Sequence, residues 1–259
     1  MEAPASILAI AIGNSRTRLG LFDPEGLHRP ESVENSAPSE IASAVRSRLD
    51  EQGGAMVVVA TVNPALAEGL ERDLGEVGGG VYRIGRDVPI PLLHDVQSPE
   101  RVGQDRLLNA LGAYSKSKQA CLVIDAGTAV TADFVDGEGI FQGGAILPGL
   151  SMMLRSLHEG TAALPEIAFS PVGADRPFGK VTEEAMRLGV YAAVRGAVRE
   201  LLDRYAEAYG GYPRVIATGG DAPVLFEAGD SVVEHIVLDL QLIGIHEACR
   251  RHAEGDDGP

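Results

Sequence analysis

The apolar positions of the chain fall into short runs that stop at glycine or at a polar pair. Ile7 to Ile12 is one such run, Gly13-Asn14-Ser15 interrupts it, and Leu19-Gly20-Leu21-Phe22 resumes it. That order predicts strand, tight turn, strand. Met56 to Val62 is rich in β-branched residues and predicts a buried strand. Cys121 to Asp125 predicts another, broken by Ala126-Gly127-Thr128 and continued by a strand to Val135, with Gly137 and Gly139 marking the next turn. Val215 to Ala217 reads as a strand that runs into Thr218-Gly219-Gly220-Asp221. Val88 to Leu93 carries two prolines and reads as an edge or loop segment.

Between these runs the spacing changes to that of helices. Ile41, Ala44, Val45 and Leu49 follow Pro38 at helical intervals. Pro64 to Leu74 predicts a helix, with Gly78-Gly79-Gly80 ending that region. Ser98-Pro99 has the form of a helix start, with Ser as cap and Pro in the first turn, and Arg106 to Tyr114 predicts a largely buried helix. Thr182 to Tyr209 is the longest helical pattern, its stripe formed by Leu188, Val190, Tyr191, Val194, Val198, Leu201, Leu202 and Tyr205. Gly189 and Gly196 weaken the expectation of one unbroken helix there. Leu240 to His252 predicts the last helix, and the acidic Ala253 to Pro259 is expected to be a disordered tail.

Composition narrows the function. With 259 residues and 45% apolar content the chain can build one large α/β unit or two modest domains. Lys and Arg number 22 against 37 Asp and Glu, a net charge of −15. A general nucleic-acid or anionic-membrane binder needs a basic face, so neither partner is expected. A small anionic ligand held by local groups remains compatible with that charge. Cys121 and Cys249 form no CxxC pair and the six histidines no HExxH motif, which argues against a zinc site or a disulfide framework. No apolar stretch approaches the ~18–20 residues of a membrane span. The acidic start (Glu2) lacks the basic region of a secretory signal. A cytoplasmic setting is the expectation.

The two strand-turn-strand units overlay with a shift of 114. Leu8 to Thr17 then faces Leu122 to Thr131, with Leu, Ile, Gly and Thr coinciding at four positions. Glycine turns of this kind suit phosphate: the backbone can approach a ligand closely, successive N–H groups point at the anion, and Asn, Ser or Thr add donors. A carboxylate just before the glycine, as in Asp125-Ala126-Gly127, can hold a cation beside that phosphate. Thr218-Gly219-Gly220 is a third candidate nucleotide contact.

These residues carry a family resemblance that runs from about Leu8 to Ile245. Ile10 to Ser15 is similar to the Asp-x-Gly-Asn-Thr motif of the type III pantothenate kinases, members of the acetate/sugar kinase–Hsp70–actin superfamily. Gly103-Gln104-Asp105-Arg106 resembles their Gly-x-Asp-Arg motif, and Asp125 to Thr131 their Asp-Phe-Gly-Thr-Ala-Thr-Thr motif. Gly143 to Leu150 resembles Gly-Gly-x-Ile-x-Pro-Gly-Leu, Gly179 to Thr182 resembles Gly-x-x-Thr, and Thr218-Gly219-Gly220 the late nucleotide turn. The resemblance implies an α/β chain of two ribonuclease-H-like, actin-like ATPase domains with mixed sheets flanking a nucleotide cleft. Domain one is expected over 1–110 and domain two over 111–259.

It also implies ATP-dependent phosphorylation of pantothenate, the first step toward coenzyme A, with Asp105 as general base. Gly103, Gln104, Arg106, Val96 and Thr182 would bind that substrate. Ala11, Ile12, Gly13, Asn14, Ser15, Arg16, Thr17, Arg18, Thr128, Gly219 and Gly220 would meet the nucleotide. Asp125 would hold a monovalent cation, K⁺ or NH₄⁺, and Mg²⁺ would accompany ATP. A homodimer is expected, Thr182 acting from the second subunit. The chain departs from the family at Ala11, which replaces the motif Asp and faces Asp125 in the repeat, and at Val96, which replaces a Tyr. A methyl group cannot coordinate a cation. Arg16 and Arg18 could offset that loss or be solvated arginines on a hairpin. Three readings are open: a working pantothenate kinase with an altered metal site, a degenerate homologue that binds without turnover, and a kinase for another small metabolite.

Overall fold

The computed structural model describes residues 6–52, 55–75, 80–171, 177–226 and 230–255. Gly78, Gly79 and the end of the acidic tail lie outside the described residues. Two compact units share the chain.

In the first unit, β1 (Ile7–Ile12) is the central strand and every one of its residues is buried. It pairs antiparallel with β2 (Arg16–Asp23), which pairs antiparallel with β3 (Gly26–Glu34). On its other side β1 pairs parallel with β4 (Met56–Thr61), and β4 with β5 (Val81–Arg83), giving the order β3-β2-β1-β4-β5. A strand covered on both faces reads as a continuous apolar run, which is why β1 and β4 were visible as such. Helices α1 (Pro38–Gln52) and α2 (Pro64–Leu74) bury Ile41, Val45, Leu49, Leu70 and Leu74 in one cluster with Leu8, Ile10 and Ile12. Asn63 caps α2, its Oδ1 accepting from the Leu66 N–H at 3.3 Å. Ala9, Ala11 and Gly20 lie on the opposite face of the sheet.

That face is served by α3 (Gln104–Ser117) and α7 (Leu240–Glu254). The two helices approach so closely that a Cβ at Gly112 would lie 2.5 Å from the Leu240 carbonyl oxygen, and one at Gly244 2.0 Å from that of Leu108. Phe22 stacks on His246 of α7 with ring centroids 4.4 Å apart. Burial pushes the His246 imidazole below its ordinary pKa.

The second unit repeats the plan. Its strands β6 (Cys121–Ala126), β7 (Ala129–Val135), β8 (Phe141–Pro148), β9 (Arg214–Thr218) and β10 (His235–Ile236) stand in the order β10-β9-β6-β7-β8. Strand β6 pairs antiparallel with β7 and parallel with β9, as β1 does with β2 and β4. Helices α4 (Leu150–Glu159), α5 (Thr182–Tyr209) and the short α6 (Ala222–Leu225) cover it, with Leu154, Met186, Val190, Val194, Val198 and Leu202 packed against Leu122 and Ile124. Helix α5 is unbroken through Gly189 and Gly196, where an added Cβ would meet nothing within 4 Å, so the glycines cost only helix propensity.

The units divide the chain differently from 1–110 and 111–259. The first takes all of α3 to Lys118, Gly139–Phe141 and the residues from Asp239 on; the second takes Gln119–Glu138 and Gln142–Leu238. The reason is the α3–α7 contact, which draws the last helix back to the first sheet. The repeat is also less regular than a constant shift of 114. Ala11 faces Arg18 and Ile12 faces Thr17, whereas Asp125 faces Thr131 and Ala126 faces Val130. The second turn is one residue shorter, so Thr131 occupies the place of Arg18 and the Thr17–Thr131 coincidence is not structural. Strands β3, β5, β8 and β10 and helices α4 and α6 have no counterpart among the sequence expectations. Pro99–Arg101 is a 3₁₀ turn whose Ser98 makes no side-chain cap. The last helix runs past His252 to Glu254.

Glu247 anchors α7. Its carboxylate accepts from Arg250 Nε and Nη2 and from Arg251 Nε, each at 2.9 Å, while Arg251 Nη1 donates to the Pro91 carbonyl at 3.2 Å. Burial alone would raise its pKa, but the two guanidinium groups outweigh that and lower it from 4.5 to about 2. A depressed carboxylate stabilises the fold above its unfolded pKa and loses that contribution as pH falls through the folded one. Thermal unfolding from pH 6 to pH 2 should therefore show wild type losing about 2 kcal/mol more than Glu247→Gln between roughly pH 5 and pH 2.

Candidate functional site

The first glycine turn is tied by its own backbone and by one side chain. The Gly13 N–H donates to the Arg16 carbonyl at 2.9 Å. Asn35, just after β3, donates from Nδ2 to the Gly13 carbonyl and accepts from the Thr17 hydroxyl, both at 2.8 Å, while its N–H reaches the Ser15 carbonyl at 3.0 Å. Asn35 escaped the sequence reading because it lies 22 residues from Gly13 in the chain. The arrangement also sorts the expected nucleotide contacts. Ala11, Ile12 and Thr17 are buried, and Thr17 spends its hydroxyl on Asn35, so none offers a side chain to a ligand. Asn14, Ser15 and Arg16 are exposed. Arg16 pairs with Glu34 at 3.0 Å, both side chains largely in water, an interaction of little weight. Arg18 is half-buried and bonded to Asp239 at 2.6 Å.

In the second unit, Asp125 sits between Thr131 on β7 and Thr218 on β9. The Gly127 N–H closes the turn on the Ala129 carbonyl at 3.0 Å, leaving Thr128 exposed at the tip. The Thr128 carbonyl accepts from the Gly149 N–H at 3.1 Å, which lays the Gly143–Leu150 segment against this turn. The Thr218–Asp221 bend closes over the same place: the Asp221 N–H donates to the Ala126 carbonyl at 2.9 Å. Gly219 has φ +90°, and a Cβ there would fall 2.2 Å from the Ala126 oxygen and 2.5 Å from Asp125 Oδ1. Only glycine permits that approach. The Thr218–Asp221 bend and Asp125 thus meet beside the Gly127 turn.

Asp105 and its neighbours form a third element, in the first unit. Gly103 precedes α3, so Asp105 lies in the helix's first turn, where the exposed N–H groups and the dipole favour a carboxylate. Its Oδ1 accepts from the Arg106 N–H at 2.9 Å. A Cβ at position 103 would lie 2.4 Å from that oxygen, so glycine is needed for this carboxylate placement. The Arg106 guanidinium stands 5.8 Å from the centre of the buried Phe141 ring. Phe141 also donates its N–H to Leu93 O and accepts from the Asp95 N–H, at 2.8 and 2.9 Å, which brings the segment leading into half-buried Val96 to the same residue. Phe141 had no motif to reveal it. Gln104 Nε2 donates to the Ile84 carbonyl at 3.1 Å, fastening α3 to the neighbouring turn.

Thr182 opens α5 and is exposed, beside an apolar depression lined by Leu157, Leu164, Met186 and Val190. Of the other carboxylates near the motifs, Asp23 is held by His28 and by the N–H groups of Glu25 and Gly26, at the end of β2 away from Ala11. Asp23 therefore does not replace the missing residue. Asp133 is buried in the second unit. Among the described residues no three His, Cys, Asp or Glu side chains group as a metal cluster, and no helix is long and apolar enough to cross a membrane.

A solved Campylobacter jejuni protein named for the Baf family of transcriptional activators has the same fold, with a TM-score of 0.62 at 19% identity, covering 95% of this chain and 99% of that one. With the repeated sheet order this defines the fold: two mixed-sheet α/β domains of like topology. The family model for type III pantothenate kinase matches residues 7–204. The type III pantothenate kinase of Rhodopirellula baltica is 41% identical over 265 residues, covering 92% of this chain and 93% of that protein. The one from Rhodospirillum rubrum is 34% identical over 259 residues, covering 95% and 98%. The chain belongs to the type III pantothenate kinase family.

The Gly219 contact is directly testable. Gly219→Ala combines a disfavoured φ with a collision against Asp125, so urea unfolding should show a loss of about 1–3 kcal/mol. Gly220→Ala, which meets open space, should cost less than about 1 kcal/mol.

Proposed function

We propose that this kinase transfers the γ-phosphoryl group of ATP to the primary hydroxyl of pantothenate, giving 4′-phosphopantothenate and ADP. The observation that carries the reading is Asp105. A carboxylate at the start of a helix, fixed by the next residue's N–H and given room by Gly103, is suited to accept the hydroxyl proton. The hydroxyl oxygen then bonds to the γ-phosphorus as the bond to the β-γ bridging oxygen breaks. Such transfers depend mainly on positioning and charge stabilisation. Arg106, placed over Phe141, would orient the acceptor, with Val96 and Thr182 completing its surroundings. Gly13, Asn14 and Ser15 in one turn, and Thr128, Gly219 and Gly220 in the other, would take phosphate oxygens.

The family implies a monovalent cation and Mg²⁺ beside the nucleotide. The second turn fits a cation: Asp125 presents an oxygen to the space that only a glycine at 219 leaves open. Asp125 would hold it, and its charge would offset that of the phosphates. The first turn does not fit one, because Ala11 is a buried methyl group where the second turn has a carboxylate. We assign the chain to the cytoplasm as a homodimer; the apolar depression along α4 and α5 supports an α5-centred contact.

The test is a coupled ADP-release assay with product identified by mass. Wild type should convert pantothenate with ATP, Mg²⁺ and K⁺. Asp105→Asn should lower kcat by roughly 10²–10⁴-fold with its melting temperature unchanged. A folded wild type that forms no phosphopantothenate under any cation tried would reject the proposal.

A further inference from the structure

The two units agree in topology and disagree in chemistry at one ladder position. In the second unit Asp125 stands between Thr131 and Thr218. The matching trio in the first is Ala11 between Arg18 and Ala60. An acid flanked by two hydroxyls is replaced by two methyl groups and a guanidinium. Ala11 is 2% exposed and Ala60 0%, so neither offers an oxygen to a cation.

Directly opposed residues on an antiparallel ladder stand about 4.5–5.5 Å apart and share a face. Arg18 therefore rises beside Ala11, one pair below the Ile12–Thr17 pair that closes the turn. Its Nε donates to Asp239 Oδ1 at 2.6 Å, with 29% of the Arg18 side chain and 22% of the Asp239 side chain exposed. Asp239 is the residue that caps the start of α7, so it is itself fixed by a helix. The bond uses Nε alone; among the described residues Nη1 and Nη2 take no partner. Arg16 is different, lying 60% exposed at the turn's rim and paired with Glu34.

We propose that Arg18, oriented by Asp239, is a nucleotide-phosphate ligand that stands in for a carboxylate-held divalent cation at the first turn. The identity of the nucleotide rests on the kinase reading. A guanidinium presents paired N–H donors to phosphate oxygens and keeps its charge at every working pH. It supplies positive charge one ladder pair from the turn without a metal, beside two methyl groups that carry none. Asp239 acts through Arg18 and is a positioning residue.

Calorimetric titration of the full chain with adenylyl imidodiphosphate and with adenosine, each in Mg²⁺ and in EDTA, tests this. Wild type should keep triphosphate affinity in EDTA within about tenfold of its Mg²⁺ value. Arg18→Met should weaken the triphosphate analogue by roughly 10- to 100-fold and leave adenosine unchanged. Arg18→Lys should recover part of the loss, and Asp239→Asn, which keeps the guanidinium, should cost about threefold to tenfold. Equal triphosphate binding by wild type and Arg18→Met overturns the assignment, as do equal losses of both ligands or abolition of wild-type binding by EDTA. Should Arg18→Met not fold, Arg18→Lys and Asp239→Asn decide by the same ratio of triphosphate to adenosine affinity. A wild type that binds neither compound rejects the kinase reading and this assignment together.

Discussion

Each sheet is organised around a strand buried on both faces, and such a strand has to end somewhere its polar backbone can be satisfied. β1 and β6 solve this in the same way. Each turns back through a glycine whose N–H is bound within the turn. Everything chemical follows from where that turn ends. Residues at the tip reach solvent, and the ladder residues on either flank can bring a side chain beside it. Asn35 and Gly219 then hold the two turns in shape from outside the hairpins.

Much of this was legible in the chain because glycine and apolar runs are strong local signals. The strands β1, β2, β4, β6, β7 and β9 announced themselves by hydrophobicity, and the turn between β1 and β2 by Gly13-Asn14-Ser15. Strand β3 did not, because Gly26–Glu34 is mostly exposed and polar, so no alternation marks it. Strand β8 hid behind its glycines, although alternating burial is plain once it is placed. Helix α4 follows directly from β8 and offers no cap beyond Gly149.

The site was legible in part for the same reason. Motif residues such as Asp105, Asp125 and Gly219 carry their chemistry in their identity. The supports Asn35, Phe141 and Asp239 do not, since each acts on a partner far away in the chain. Ladder register also changed the reading of the repeat. A turn one residue shorter moves Thr131 opposite Asp125 and thereby singles out Arg18, not Thr17, as the residue facing Ala11. Burial separated the two arginines, which sequence could not tell apart.

The return of α7 to the first sheet has a consequence for biosynthesis. The face of β1 and β2 that carries Ala9, Ala11 and Gly20 is packed by a helix that begins at Leu240, near the end of the chain. While the ribosome is still making the second unit, that face has α3 but not yet α7. The first unit to be translated is thus finished after the second, and its apolar underside must wait for α7 to emerge.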